Sequence, residues 1–396
     1  MIGASGNTAR TGATRMGLDI PLLTAGSAAF SISTMFSSMK PVLITRFVEQ
    51  TGYSPGMAGL AAAMPFVGGA FSSLLMPWLL RRIGGSAAVT GLGAGLALCE
   101  AANAFWFASP ALLLLGQCAA GLCGGLLLGL VSGWIASSAR SEQSFGIVDM
   151  AGVLMMSFMI AVVGSAVEWG GLRGGFLAAS VLSAVFAATM HLSRHALPKS
   201  FEQADGENAA PLEIRWRGIA VIAMGVAFVT FSGMGFAFMV TAARKLGFSY
   251  EGASSAIGVI LLLSATGCLA GGWCAARFGP KYPLLAAFAL CAIGWHLALH
   301  TQSRVVFLMT LGPAIFALQF CFPVLVALPG SFDAKGRLAA IAAPLICSGF
   351  AWAAILAGAV VGRWGLTALP IVTDIGMLLC AALLFAGTSK PRLAKA

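Results

Sequence analysis

Five ionisable side chains stand inside long apolar stretches of this 396-residue chain: Lys40, Glu100, Asp149, His296 and Asp374, with Asp19 at the edge of another. Hydrocarbon makes charge costly, so each is a candidate for chemistry. Lys40 has the type to pair with an anion, and Asp149 the type to take up and release a proton. Two uncharged polar residues, Gln117 and Gln319, have the type to hydrogen-bond a solute without fixed charge. Other chemistries are poorly served. The nine cysteines include no CxxC pair, which excludes a thiolate zinc framework and makes them small buried hydrophobes. HLSRH at 191–195 resembles one histidine box of a diiron membrane oxygenase, yet the chain has only four histidines. GLGAG at 91–95 mimics a dinucleotide loop but sits inside an apolar stretch with no preceding strand. No GxxxxGK loop is present, so nothing in the sequence points to nucleotide hydrolysis. We expect no enzyme, no cofactor and no metal.

The elements that must position these residues are membrane helices. The chain is 59% hydrophobic and 9% charged, with a mean hydropathy of +0.92. A soluble domain could not hide that much apolar surface. A bilayer core of roughly 30 Å takes about 20 apolar residues per helix, which gives this length about twelve spans. Apolar stretches and their polar breaks place them near 20–47, 57–80, 87–107, 110–137, 144–167 and 174–193. The second set falls near 217–242, 252–276, 282–300, 304–329, 338–362 and 366–388. Residues 1–19 form an N-terminal tail with no removable signal peptide, and 389–396 a C-terminal tail. The long polar stretch 194–216, RHALPKSFEQADGENAAPLEIRW, reads as a linker between bundles at 20–193 and 217–388.

The net charge of +10 does not indicate nucleic acid, because the cations sit in short breaks between apolar runs. Lys40, Arg46, Arg173, Arg244, Lys245, Arg304 and Arg363 would lie outside, and the larger remainder inside. That asymmetry puts both termini in the cytoplasm of a multi-pass protein, in a bacterial inner membrane.

PWLLRRIGGS at 77–86 and GGWCAARFGPK at 271–281 break their apolar runs in nearly the same way, 195 residues apart. At that shift TGYS at 51–54 falls on LGFS at 246–249, Pro77 on Gly272, Arg82 on Arg277 and Gly84 on Gly279. Two parallel halves follow.

On these residues the chain resembles a major facilitator superfamily transporter, in which the loop after helix 2 reads G-x-L-x-D-R-x-G-R-R. Arg82 and Gly84 match the arginine and second glycine. In the copy after helix 8, Gly272, Arg277, Gly279 and Lys281 match. The resemblance implies an all-α integral membrane fold of twelve transmembrane helices in two pseudo-symmetric six-helix bundles, moving a solute by alternating access. The family's acidic position is Arg81 in one copy and Ala276 in the other, so the cytoplasmic latch it supports should be weaker here.

The family architecture also sorts the candidates. Helices 1, 4, 7 and 10 line its central path, 2, 5, 8 and 11 flank it, and 3, 6, 9 and 12 are peripheral. Glu100, His296 and Asp374 fall on peripheral helices, where packing or interfacial roles are implied. Lys40, before Pro41, lies about 30 Å along the first helix from residue 20 and either contacts substrate or snorkels to the interface. Asp149, near the inner gate, either couples protons or pairs with Arg81, Arg82 or Arg337. On helix 4, Gly121, Gly125, Gly129 and Gly133 form a ladder for close packing of a helix or solute. Gln117 stands where relatives often carry an arginine, and Gln319 lies between Pro313 and Pro323, where a broken helix is expected. Helix 5 lacks the Gly-Pro of the family's antiporter signature. The expectation is a monomeric transporter with a small-molecule substrate, protons and membrane lipids as partners, taking up an organic anion such as a carboxylate. Efflux of hydrophobic compounds and a non-transporting sensor or scaffold are the alternatives.

Overall fold

Hydrocarbon offers no hydrogen-bond partners, so a spanning chain must satisfy its backbone internally, and a helix does so within one segment. The computed structural model obeys this. It describes residues 20–53, 55–82, 85–138, 140–192, 216–248, 250–332 and 336–388. Ten helical stretches among them are long and apolar enough to cross a membrane, and Leu22–Phe36 is a shorter apolar one.

The first half holds α1 (Ile20–Thr51), α2 (Pro55–Arg82), α3 (Gly85–Trp106), α4 (Pro110–Ala136) and α5 (Ser141–Leu192). α5 is two spans. At Gly171 the backbone leaves the helix (φ 59°, ψ −155°), and the chain doubles back so that Gly174 packs against the Ala166 carbonyl. Gln50, at the end of α1, fixes this reversal by accepting from Leu172 N–H at 2.8 Å. The second half holds α6 (Trp216–Lys245), α7 (Tyr250–Ser264), α8 (Thr266–Phe278), α9 (Lys281–His300), α10 (Arg304–Ala327), α11 (Arg337–Cys347), α12 (Gly349–Trp364) and α13 (Leu369–Thr388). α7 with α8, and α11 with α12, are each one span interrupted at a single residue, Ala265 and Ser348. With those unions the twelve-helix fold is complete, six helices in each bundle. Linker residues 194–215 lie outside the described residues. The ends of α2, α4, α8 and α10 share one face of the membrane with the start of α1 and the end of α13; we refer to it as the terminal face.

Two expectations need correction. The first helix does not stop near residue 47 but runs to Thr51. Lys40 is therefore about 16 Å short of the helix end rather than at it. The tenth helix is not broken around Gln319: α10 continues through Pro313 and Pro323. Proline removes one helical hydrogen bond, and close neighbours hold the helix together across that gap. The interruptions fall in the eighth and eleventh spans instead.

The repeat has a backbone counterpart. Gly52 and Gly247, 195 residues apart, both have positive φ (70° and 80°). Each turn is tied to its own bundle. Tyr53 donates its hydroxyl to Phe107 O at 2.8 Å, and Arg304 donates from Nε and Nη2 to the Leu246 and Gly247 carbonyls at 2.8 and 2.7 Å. Left-handed backbone costs a residue with a Cβ about 1–2 kcal/mol. Gly247→Ala should therefore lower the thermal midpoint in detergent, whereas Gly312→Ala, in α10 with open space around it, should hold or raise it.

Candidate functional site

The two bundles meet through small residues on the terminal side. α5 crosses α8 at Gly146 and Gly272. A Cβ on Gly146 would lie 2.7 Å from Cys268 O, and one on Gly272 would collide with Glu142 O. Backbone against backbone leaves no side chain to give way. On the pseudo-symmetric side α2 and α4 meet α11. Ser73 donates to Ile341 O at 3.0 Å, and Gly129 abuts the Ala340 carbonyl. That carbonyl lacks its usual helical donor because Pro344, four residues on, has no N–H to offer it. Gly133 abuts Gly336, just before α11. The glycine ladder of α4 is thus a packing surface. Gly121 and Gly125 meet Pro65 and Gly69 of α2, and Gly129 and Gly133 meet the other bundle. The terminal face is closed in this conformation.

Outward of this seam, phenylalanine rings bridge the bundles in a chain. Phe30 of α1 meets Phe322 of α10 at 5.9 Å, Phe322 meets Phe350 of α12 at 6.5 Å, and Phe350 meets Phe66 of α2 at 5.9 Å. Beside them lies a cavity of ≈ 30 Å³ lined by residues that include Ser33, Thr34, Phe66, Cys347 and Phe350. That is room for a water or two and no organic solute. The hydroxyls of Ser33 and Thr34 donate to the Ala29 and Phe30 carbonyls of their own helix at 2.7 and 2.8 Å, leaving their lone pairs as acceptors.

Asp149 sits at the edge of this arrangement, only 3% exposed, on the face of α5 that meets α8. Cys268 of α8 hydrogen-bonds its carboxyl group, and the Cys347 thiol of the cavity wall lies within reach of its charge. Among the described residues the second oxygen, Oδ2, has no hydrogen-bond partner. A carboxyl group is therefore buried where the two bundles meet, with one oxygen unused among the described residues.

The remaining candidates scatter. Gln117 (4% exposed, α4) and Gln319 (8% exposed, α10) are buried, but neither lines the cavity. Lys40 is within α1, and Arg81 and Arg82 end α2; their side chains, and Gly84 altogether, lie outside the described residues. In the second basic turn, Gly279 has φ 74° and Arg277 lies 5.8 Å from the rings of Trp273 and Phe278. Lys281 sits 4.3 Å from the Phe385 ring of α13. These cations engage aromatic faces of their own bundle. His296 and Asp374 pair with each other at 2.8 Å between α9 and α13. Glu100 and Asn103 are wholly buried on α3, where Asn103 abuts Gly116 of α4. Sequence reasoning missed Gly146, Cys268, Cys347 and the four phenylalanines. Only Gly146 left a trace, one helical turn before Asp149.

Two six-helix bundles closing around a central cavity are a transporter architecture, and the sequence agrees with it: the Major Facilitator Superfamily model matches residues 25–343. The chain belongs to the Major Facilitator Superfamily. It is a multi-pass membrane transporter of that family. No curated protein matches it in sequence. Among solved structures, this superfamily member is similar to the human organic anion transporter MFSD10 (TETRAN), with a TM-score of 0.73 at 16% identity over 93% of this chain and 100% of that one. It is also similar to the transporter FucP in its outward conformation, with a TM-score of 0.73 at 12% identity over 94% and 99%. The proton:xylose symporter XylE gives 0.69 at 16% identity over 93% and 94%. At such identities these likenesses establish the fold.

Proposed function

We propose that this transporter takes up a small organic anion, with an aromatic carboxylate as the leading candidate, in symport with protons, and that Asp149 carries the proton. One observation bears most of this reading: a buried acid, with one oxygen unpartnered among the described residues, lies where the two bundles meet. Separating α5 from α8 on the terminal side would hydrate that acid and let it exchange its proton with that side. Closure returns it to the interior beside the cavity, which links proton exchange to alternating access. The phenylalanine chain suits a flat apolar solute body, since rings prefer offset or edge contacts with rings. Lys40, carried on the first helix, supplies the cation that a carboxylate would seek. The organic anion transporter and the proton-coupled sugar symporters share this fold, which accommodates both cargo classes. The Ser33 and Thr34 hydroxyls in the cavity wall favour a second reading, a neutral hydroxylated solute.

Uptake of radiolabelled benzoate and of a labelled pentose into proteoliposomes distinguishes the two. We expect benzoate uptake driven by an inward proton gradient, falling more than tenfold in Lys40→Ala, the cost of removing one partner of a desolvated charge pair. Pentose uptake indifferent to Lys40 would replace the anion reading with the neutral one. We place both termini in the cytoplasm, so reporter fusions after residues 84, 205 and 279 should all read cytoplasmic.

A further inference from the structure

Two of the chain's four histidines, His296 and His300, lie four residues apart on α9 and beside Asp374 of α13. α9 runs away from the terminal face, so this group sits near the opposite one. His300 closes α9, His296 is about 6 Å before that end, and Asp374 is about 8 Å into α13. That depth is the interfacial layer, which water and ions enter. His300 is exposed, and the His296 and Asp374 side chains are 46% and 36% exposed.

The two imidazoles stack, with centroids 4.6 Å apart and planes inclined by 24°. Each Nδ1 is engaged. That of His296 meets Asp374 Oδ2 at 2.8 Å, and that of His300 meets the His296 carbonyl at 3.0 Å. A carboxylate and a carbonyl only accept, so in both rings Nδ1 carries the proton. The lone pair of each neutral ring is then on Nε2, and neither Nε2 has a partner among the described residues. Metal-binding histidines are held in this way, donating the other ring N–H to a carboxylate or a backbone carbonyl. Here the two rings use one acceptor of each kind. Residues four apart share a helix face, so both nitrogens can serve one ion. Zinc–nitrogen bonds are about 2.0–2.1 Å, and a small turn of the exposed His300 ring suffices to bridge the stack.

Charge points the same way. Asp374 has no lysine or arginine partner among the described residues, and its Oδ1 is buried there without a hydrogen bond. A cation on His296 would offset that carboxylate through the ring. We propose that His296 and His300 bind a divalent first-row transition-metal ion such as Zn2+ through Nε2, with Asp374 positioning His296. No third His, Cys, Asp or Glu among the described residues completes a group, so water fills the remaining positions. Imidazole suits zinc, copper and nickel rather than calcium or magnesium. The site lies within the second bundle and is separate from the transport cargo. Sequence shows only the spacing of the histidines, because Asp374 stands 78 residues beyond His296.

Calorimetric titration of ZnCl2 into the purified, untagged protein tests it, with electron paramagnetic resonance of bound Cu2+ as the second readout. Wild type should bind one Zn2+ per chain and show two imidazole nitrogens coupled to Cu2+. His300→Ala, at an exposed helix end, should fold as wild type, lose tight Zn2+ binding and leave one coupled nitrogen. Asp374→Ala keeps both ligands and should weaken binding by about ten- to hundredfold. His191→Ala with His195→Ala, which removes the other histidine pair spaced by four, should leave binding unchanged. Equal Zn2+ affinity in wild type and His300→Ala would overturn the proposal and assign the ion to thiols. Equal affinity in Asp374→Ala, or binding lost only with His191 and His195, would overturn it as well.

Discussion

Gly272→Leu opens the terminal face. The new side chain is directed into the backbone at Glu142 and Gly146, which cannot swing aside, so α8 and α5 separate. Overpacking of this kind costs about 1–3 kcal/mol. Here the cost falls on the closed conformation alone, because the open one has no partner helix at that position. The change therefore appears as a shift of roughly five- to hundredfold in the balance between conformations. Its readout is the labelling rate of Cys268, buried in the seam, by a membrane-impermeant maleimide applied from the terminal side with the other cysteines replaced. Labelling should accelerate in Gly272→Leu and in Gly146→Val, and transport should fall in both. Gly258→Leu, in the same span with open space around it, should match wild type. Equal labelling rates in all of these proteins would mean that the glycine crossing does not hold the face shut.

Asp149→Asn removes proton-driven accumulation and spares exchange. The amide keeps the size of the carboxyl group and can still bond Cys268, but it carries no exchangeable charge. One proton moving with each solute across one pH unit is worth about 1.4 kcal/mol, or roughly tenfold accumulation. The variant should lose that tenfold per unit and equilibrate its solute, with counterflow at wild-type rates. Unfolding is separable from loss of coupling, because replacing a buried carboxyl group with an oxygen unpartnered among the described residues removes a desolvation cost. The thermal midpoint should hold or rise. Accumulation that still follows the proton gradient in Asp149→Asn would assign coupling elsewhere.

The conventional picture of this family has an acid in the loop after helix 2 helping to hold the cytoplasmic side shut. Here that position is Arg81, and in the second copy Ala276. The described seam offers a physical substitute, with glycine backbones and a proline-freed carbonyl in contact across the bundles. Close backbone packing with small residues is how helices associate where lipid removes the hydrophobic driving force.

Composition and spacing were enough for the architecture. Lipid as solvent forces helices, helix length follows from bilayer thickness, and a 195-residue repeat puts the halves in register; Gly52 and Gly247 share a backbone conformation for that reason. Those are one-dimensional properties, so the chain displays them in order. The site is not one-dimensional. Asp149 was visible as an acid in an apolar run, but its hydrogen bond with Cys268 joins α5 to α8, between residues more than a hundred positions apart in the chain. Phe30, Phe66, Phe322 and Phe350 look like ordinary core residues until the bundles dock. Gln117 and Gln319 show the converse, since polar type within a span says nothing about which way a helix is rotated. Helix breaks were misplaced for a related reason. Proline marks where a hydrogen bond is lost, while the neighbouring helices decide whether the backbone bends there, and in α10 they hold it continuous.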